Sequence, residues 1–232
     1  ADRRKAGGEA PDLLGMLMSA RDEETGEAMT DRQLRDEAMT ILLAGHETTA
    51  VALSWTWMLL SQHPAEARAL HAELAQVLAG RAPSLADLPR LPRTRAVIEE
   101  SMRLYPPAWI IGRSVVEDDA LSGYRIPARS LVILSTYAAH RDPRIFENPE
   151  AFDPERFLRR PEAQLPRFAY FPFGGGPRIC IGNAFALMEA QLVLAHLAQR
   201  FRLDLVPGHR VDPEPSITLR PRHGMRMTVH AR

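Results

Sequence analysis

Between Asp31 and Gln62 no proline interrupts the chain, and apolar residues crowd the stretch from Ala38 to Leu60. That density predicts one continuous helix of roughly 48 Å, at 1.5 Å of rise per residue. Its start is marked by Thr30-Asp31-Arg32-Gln33, a capping-box pattern that satisfies free N–H groups reciprocally. A run this apolar also invites a membrane-spanning reading. His46, Glu47, Thr48 and Thr49 sit at its centre, where ionisable groups are costly in lipid. A helix buried through a globular core is therefore expected, with its acid and hydroxyls satisfied by partners.

Elsewhere the pattern breaks into shorter pieces. Residues 1–10 read as a loose lead-in and Pro11 to Arg21 as a short helix, followed by a charged, solvated turn over Asp22–Glu27. Pro64 opens a second long helix that stops at Gly80, in keeping with proline at helix starts and glycine past helix ends. A proline-rich connection, 81–92, precedes a helix over Arg93–Tyr105, ended by Pro106-Pro107. Strand-like apolar runs occupy Trp109–Val116 and Leu131–Leu134, with Gly123 marking a turn between them. From Arg141 to Pro172 prolines are too frequent for any long element. A meander with one-turn helices is expected there, anchored by Phe146, Phe152 and Phe157. A helix from Asn183 to about Arg200 follows, then strands near Arg202–Val206, Ser216–Leu219 and Arg226–His230. The fold class is mainly α with small β-sheets. The expected division is a lead-in over 1–29 and one incomplete domain over 30–232.

Composition narrows the function classes. Acidic and basic residues balance at 29 each, so no nucleic-acid partner is indicated. A single cysteine excludes an internal disulfide and fits a reducing, cytoplasmic setting. Ala1 to Ala10 lacks an apolar core, so no secretory leader is expected there.

That cysteine sits in Phe173-Gly174-Gly175-Gly176-Pro177-Arg178-Ile179-Cys180-Ile181-Gly182. The glycines permit positive φ and close approach of the backbone to a flat or bulky group. The helix pattern beginning at Asn183 puts Cys180 beside a helix N-terminus, which favours an anion, and the thiolate is the metal-binding form of cysteine. Taken alone, a lone cysteine is usually a small buried hydrophobe. Here Phe173, Gly176, Arg178, Cys180 and Gly182 resemble, position for position, the haem-ligating loop of the cytochrome P-450 family.

The resemblance extends in the family's order over nearly everything from Thr30 to the C-terminus. Ala44-Gly45-His46-Glu47-Thr48-Thr49 is similar to the distal, oxygen-binding helix. There Gly45 and a helix bend would make room for dioxygen, and Glu47 and Thr48 would deliver the protons that its cleavage requires. Glu100-Ser101-Met102-Arg103 resembles the family's Glu-x-x-Arg, and Arg156 matches its third member in the meander, a structural trio. By resemblance Cys180 is the axial ligand of the haem iron, Phe173 shields its sulfur, and Arg178 and Arg113 engage the haem propionates. Gly45, Gly176 and Gly182 would border the cofactor. The residues before Gly45, the run Ala108–Ile111 and Ser216–Leu219 would border a substrate pocket. All are largely apolar, which suits a lipophilic molecule.

The resemblance implies a soluble, bacterial-type monooxygenase using haem b, dioxygen and a small lipophilic substrate. Electrons would come from NAD(P)H through a separate ferredoxin- or flavodoxin-type partner, since no flavin or iron–sulfur domain follows. Complete members are much longer, so the sequence reads as the C-terminal half of one. Two alternatives remain. One is a non-catalytic remnant that binds haem poorly. The other is a haem-thiolate peroxygenase or isomerase, which Glu47-Thr48 argues against because neither needs such a proton relay.

Overall fold

The structure is a computed structural model that describes residues 12–232; the expected lead-in over 1–10 and Pro11 lie outside them. The chain divides into two compact units, one ending at Glu47 and one beginning at Thr48.

In the first unit, α1 is Leu13–Ser19, shorter than the expected 11–21, with Asp12 accepting from the Gly15 N–H at its start. Arg21 and Ala28 form an isolated bridge around the charged turn. Asp22 closes that turn by accepting from the Glu24 and Thr25 amides and the Thr25 hydroxyl. The capping box at Thr30 forms as expected: the Thr30 N–H donates to Gln33 Oε1 at 2.9 Å and the Gln33 N–H to Thr30 Oγ1 at 3.3 Å. Helix α2 then runs Asp31–Gln62, its boundaries those expected.

Burial along α2 differs from expectation. Met39, Leu42 and Leu43 face outward, Leu42 at 62% and Leu43 at 66% exposure, and continuous burial begins only at Val51. Hydropathy reports that a face is apolar, not that a neighbour covers it.

The second unit is built on the buried half of α2. Trp55 is fully buried and stacks on Tyr105 with ring centroids 4.2 Å apart. Its indole N–H donates to the Leu219 carbonyl at 2.8 Å, across 164 positions of sequence. Around it pack Leu70, Leu74 and Leu78 of α3 (Pro64–Leu78), Val97, Ile98 and Met102 of α4 (Pro92–Leu104), and Leu194 of α7 (Asn183–Ala198). Helix α3 ends with Ala79 in the left-handed region, φ 48°, one residue before the expected glycine. The connection 81–92 is not structureless: Leu85–Arg90 forms a 3-10 helix, where Asp87 accepts from the Ser84 amide and hydroxyl and pairs with Arg81.

Helix α4 is buried from Ala96 through Leu104. Its N-terminal donors are satisfied from α3, where the Glu73 carboxylate accepts from the amides of Arg93 and Thr94 and from the Thr94 hydroxyl. Among the described residues the named strands form four antiparallel pairs. Strand β1 (Ile111–Ser114) pairs with β4 (Leu131–Leu134), with Arg113 opposite Val132. Strands β2 (Asp119–Leu121) and β3 (Tyr124–Ile126) form a hairpin between them, turning at Ser122 and Gly123. The short helix α5 is Thr136–Ala139. The meander carries α6 (Glu155–Arg159) and a 3-10 turn at Glu162–Gln164, and Phe146, Phe152 and Phe157 are all buried as expected. At the C-terminus β5 (Phe201–Leu205) pairs with β8 (Met227–Ala231). Ser216 to Thr218 is the turn between β6 (Pro213–Pro215) and β7 (Leu219–Pro221), not a strand. No helix of the described residues is long and apolar enough to cross a membrane.

Candidate functional site

The loop from Phe171 to Gly182 is shaped by its glycines. Gly174 and Gly176 take φ of +74° and +72°, the left-handed region that costs a residue with a Cβ. Three backbone bonds close it: Gly174 N–H to the Phe171 carbonyl (2.9 Å), Ile179 N–H to Gly176 (3.0 Å) and Cys180 N–H to Phe173 (2.9 Å). Gly176–Arg178 is a 3-10 turn, and Gly182 is the N-cap of α7. A Cβ on Gly182 would stand 3.9 Å from Cys180 Sγ, and one on Gly174 would stand 3.4 Å from Ile111 Cδ1. Strand β1, which carries Arg113, thus packs directly on the cysteine loop.

Cys180 is an exposed free thiol. Its surroundings are apolar and exposed too, with Ile179 at 50%, Phe185 at 62% and Ile181 at 97%. Phe173, half-buried, packs against the hydrophobic core. Arg178 is exposed with no ion-pair partner among the described residues, and Arg113 donates only to the carbonyl of Gly112, at 2.8 Å. A thiol at a helix start, apolar side chains left in water and guanidinium donors in reserve fit an iron porphyrin. Such a group needs one soft ligand, apolar cover for its faces and cations for its carboxylates.

Glu100, Arg103 and Arg156 meet in the interior. Both Glu100 and Arg103 are 0% exposed. Arg103 Nε and Nη2 donate to the two Glu100 oxygens at 2.7 and 2.9 Å, while its remaining donors reach the carbonyls of His140, Pro149 and Ala151. All five guanidinium N–H groups are thereby used. Glu100 also accepts from Arg156 Nε and the Asp153 amide.

On α2 the helix continues without interruption through Gly45, and nothing lies within 4 Å of the position a Cβ would take there. Glu47 is exposed and Thr48 half-buried. Hydroxyls bond the carbonyl one turn back at Thr40, Ser54 and Thr56. The Thr49 hydroxyl is shielded from water and makes no hydrogen bond.

Two runs named for a pocket border do meet. The Trp109 indole N–H donates to the Ser216 carbonyl at 2.9 Å, and the Leu219 amide to the Pro107 carbonyl at 2.9 Å. One residue of the site region carried no sequence signal: His140, fully buried, whose Nε2 accepts from the Phe171 amide at 2.8 Å. A single histidine 31 positions away from its partner has no spacing to betray it.

Comparison with known proteins agrees with this architecture. The family model for Cytochrome P450 matches residues 2–227. Cyclooctatin synthase of Streptomyces melanosporofaciens is 47% identical over 212 residues, 91% of this chain and 46% of that protein. Cyclooctat-9-en-7-ol 5-monooxygenase of the same organism is 43% identical, over 89% of this chain and 45% of its own length. The crystal structure of the cytochrome P450DA heme domain superposes with a TM-score of 0.92 at 35% identity, covering 100% of this chain and 51% of that one. The chain spans about half the length of the curated relatives it matches. Family model, relatives and superposition all take in the cysteine loop and its buried support, and on these grounds the chain belongs to the cytochrome P450 family, of whose fold it forms a part.

Proposed function

We propose that the protein carrying this chain is a haem-thiolate monooxygenase. It inserts one atom of dioxygen into a lipophilic organic substrate and reduces the other to water. Electrons come from NAD(P)H through a separate ferredoxin- or flavodoxin-type donor, in the cytoplasm. The observation that carries this reading is Cys180: the only cysteine, its thiol outward, on a loop whose backbone is fixed at Phe173 and whose neighbours are apolar and exposed.

Haem b, when bound, would supply the redox chemistry of dioxygen activation. The chain's residues do the rest. Cys180 Sγ would ligate the haem iron, and the hydrogen bond from its N–H to the Phe173 carbonyl holds its backbone in place. Arg178 and Arg113, having donors to spare, would hold the propionates, and Ile181 and Phe185 would keep water from the porphyrin. Gly174 and Gly176 let the backbone turn without a Cβ intruding. Glu47, exposed, takes a proton from solvent on its carboxylate, and the half-buried Thr48 Oγ1 passes it inward. One relative is named as a cyclooctat-9-en-7-ol 5-monooxygenase, and a similarly hydrocarbon-rich substrate suits the largely apolar runs 108–111 and 216–219.

Carbon monoxide difference spectroscopy of the reduced holoprotein tests the reading. A thiolate-type spectrum that disappears in Cys180→Ala is expected. A thiol-type spectrum, or no haem at all, would leave a non-catalytic remnant. Turnover with peroxide but never with an electron donor would point to a peroxygenase.

A further inference from the structure

His140 touches the site at two levels at once. Its carbonyl accepts from Arg103 Nη1 at 2.9 Å, so its backbone belongs to the buried Glu100–Arg103–Arg156 network. Its ring faces the segment that enters the cysteine loop. Nε2 accepts from the Phe171 N–H at 2.8 Å, and the ring meets Phe171 edge-on at 5.2 Å and Tyr170 at 5.0 Å. Tyr170 is itself tied to α4, its hydroxyl donating to the Glu99 carbonyl at 2.9 Å.

The chemistry of the ring follows from that one acceptor. An imidazole nitrogen that accepts an N–H carries no proton, so the ring is neutral with its proton on Nδ1. Burial, then the charges of Arg103 and Arg141, push the pKa of His140 down to about 3, which keeps it neutral. Nδ1 itself is shielded and forms no hydrogen bond; the backbone of Met102 and Arg103 favours a proton on the ring but is outweighed by burial. The structure therefore tolerates a poorly satisfied nitrogen on one side of the ring and keeps the bond to Phe171 on the other. From Phe171 the loop's own bonds continue, its carbonyl taking the Gly174 amide and the Phe173 carbonyl taking the Cys180 amide.

We propose that His140 is a positioning residue that ties the loop carrying Cys180 to the buried Glu100–Arg103–Arg156 network, through a hydrogen bond from the Phe171 amide that only a neutral ring can accept. Its consequence for the cofactor rests on Cys180 being the ligand; the fixing of the loop does not. Without the bond a part-buried amide is left unpaired and the loop opens more often.

The test uses the holoprotein with His140→Leu, which keeps bulk but no acceptor, and His140→Gln, which offers a carbonyl oxygen in place of Nε2. Amide hydrogen exchange over residues 171–182 is expected to quicken about tenfold or more in His140→Leu. Exchange in α3 and α4 should remain unchanged, and His140→Gln should recover most of the protection. In step with this, the thiolate-type carbon monoxide spectrum of His140→Leu should convert to the thiol type faster than wild type. Unchanged loop exchange in His140→Leu overturns the proposal. So does exchange that rises equally throughout the chain in both variants, which would make His140 mere core filling. Should His140→Leu alone lose its fold, His140→Gln decides: native loop protection supports the bond, and a fast loop on an intact core overturns it. If Cys180→Ala keeps the thiolate spectrum while the exchange results hold, the ligand reading falls and the bridge stands.

Discussion

Arg103 and Glu100 lie three residues apart on α4, joined by two hydrogen bonds of 2.7 and 2.9 Å with neither side chain exposed to water. At the helix surface such a spacing contributes only ~0.2–0.5 kcal/mol. Buried, the pair follows a different rule, because removing one partner strands the other's charge in the interior.

Arg103→Leu should therefore destabilise the protein by about 3–5 kcal/mol, the usual cost of breaking a buried ion pair. Arg103→Lys should also be costly, since one ammonium cannot serve Glu100 and three carbonyls at once. Urea unfolding midpoints measure both. A lysine variant with the wild-type midpoint would mean that charge alone, without the planar fork, is enough.

Two neighbouring glycines should respond to alanine for different reasons. Gly176, at φ +72° with open space around it, should cost about 1 kcal/mol from backbone strain alone. Gly175 is extended, and a Cβ there would overlap the ring of Phe168, itself half exposed. Pairing Gly175→Ala with Phe168→Ala should remove the penalty of the first substitution, whereas Phe168→Ala should not help Gly176→Ala. Thermal unfolding of the single and double variants separates the two mechanisms.

Acid should weaken the protein partly through His71. Burial and the nearby charges of Arg232 and Arg202 lower its pKa to about 4, so the unfolded chain binds the proton more readily. The stability this histidine permits is full above its unfolded pKa of about 6.5 and is lost as pH falls toward 4. Burial acts in the opposite direction on Glu99 and Glu162, whose raised pKa values favour the fold at lower pH. The comparison that isolates His71 is wild type against His71→Gln. Their difference in unfolding midpoint should be constant above pH 7.5 and shift in the variant's favour between pH 6.5 and 4. A difference that does not change with pH would show that His71 does not titrate as described.

Thr48→Ala in the active holoprotein should leave haem content unchanged and divert electrons into hydrogen peroxide. Peroxide formed per electron donor consumed is the quantity to follow. A product-to-donor ratio equal to wild type would reduce Thr48 to a residue of helix packing.

What the sequence discloses depends on the range of the interaction. The cysteine loop is legible because its information is local: glycines at the turning positions, Cys180 two residues after Arg178, and a helix start directly behind. The capping box at Thr30 and the bounds of α2 are legible for the same reason. The β2–β3 hairpin is not, since its three-residue strands are largely exposed and show no alternation, leaving Gly123 as the single hint. Leu85–Arg90 hides among prolines, its helix held by the Ser84 and Arg81 bonds to Asp87. Glu73 capping α4 and His140 holding Phe171 each join distant positions by one bond, which no periodicity encodes.

The bond from the Trp55 indole to the Leu219 carbonyl closes a loop of 164 positions. So long a closure slows folding, because the entropy of bringing its ends together is spent before the contact rewards it. Until it closes, the tryptophan at the centre of the core keeps an unsatisfied donor. The short strand at Leu219 thus acts as the latch of that core.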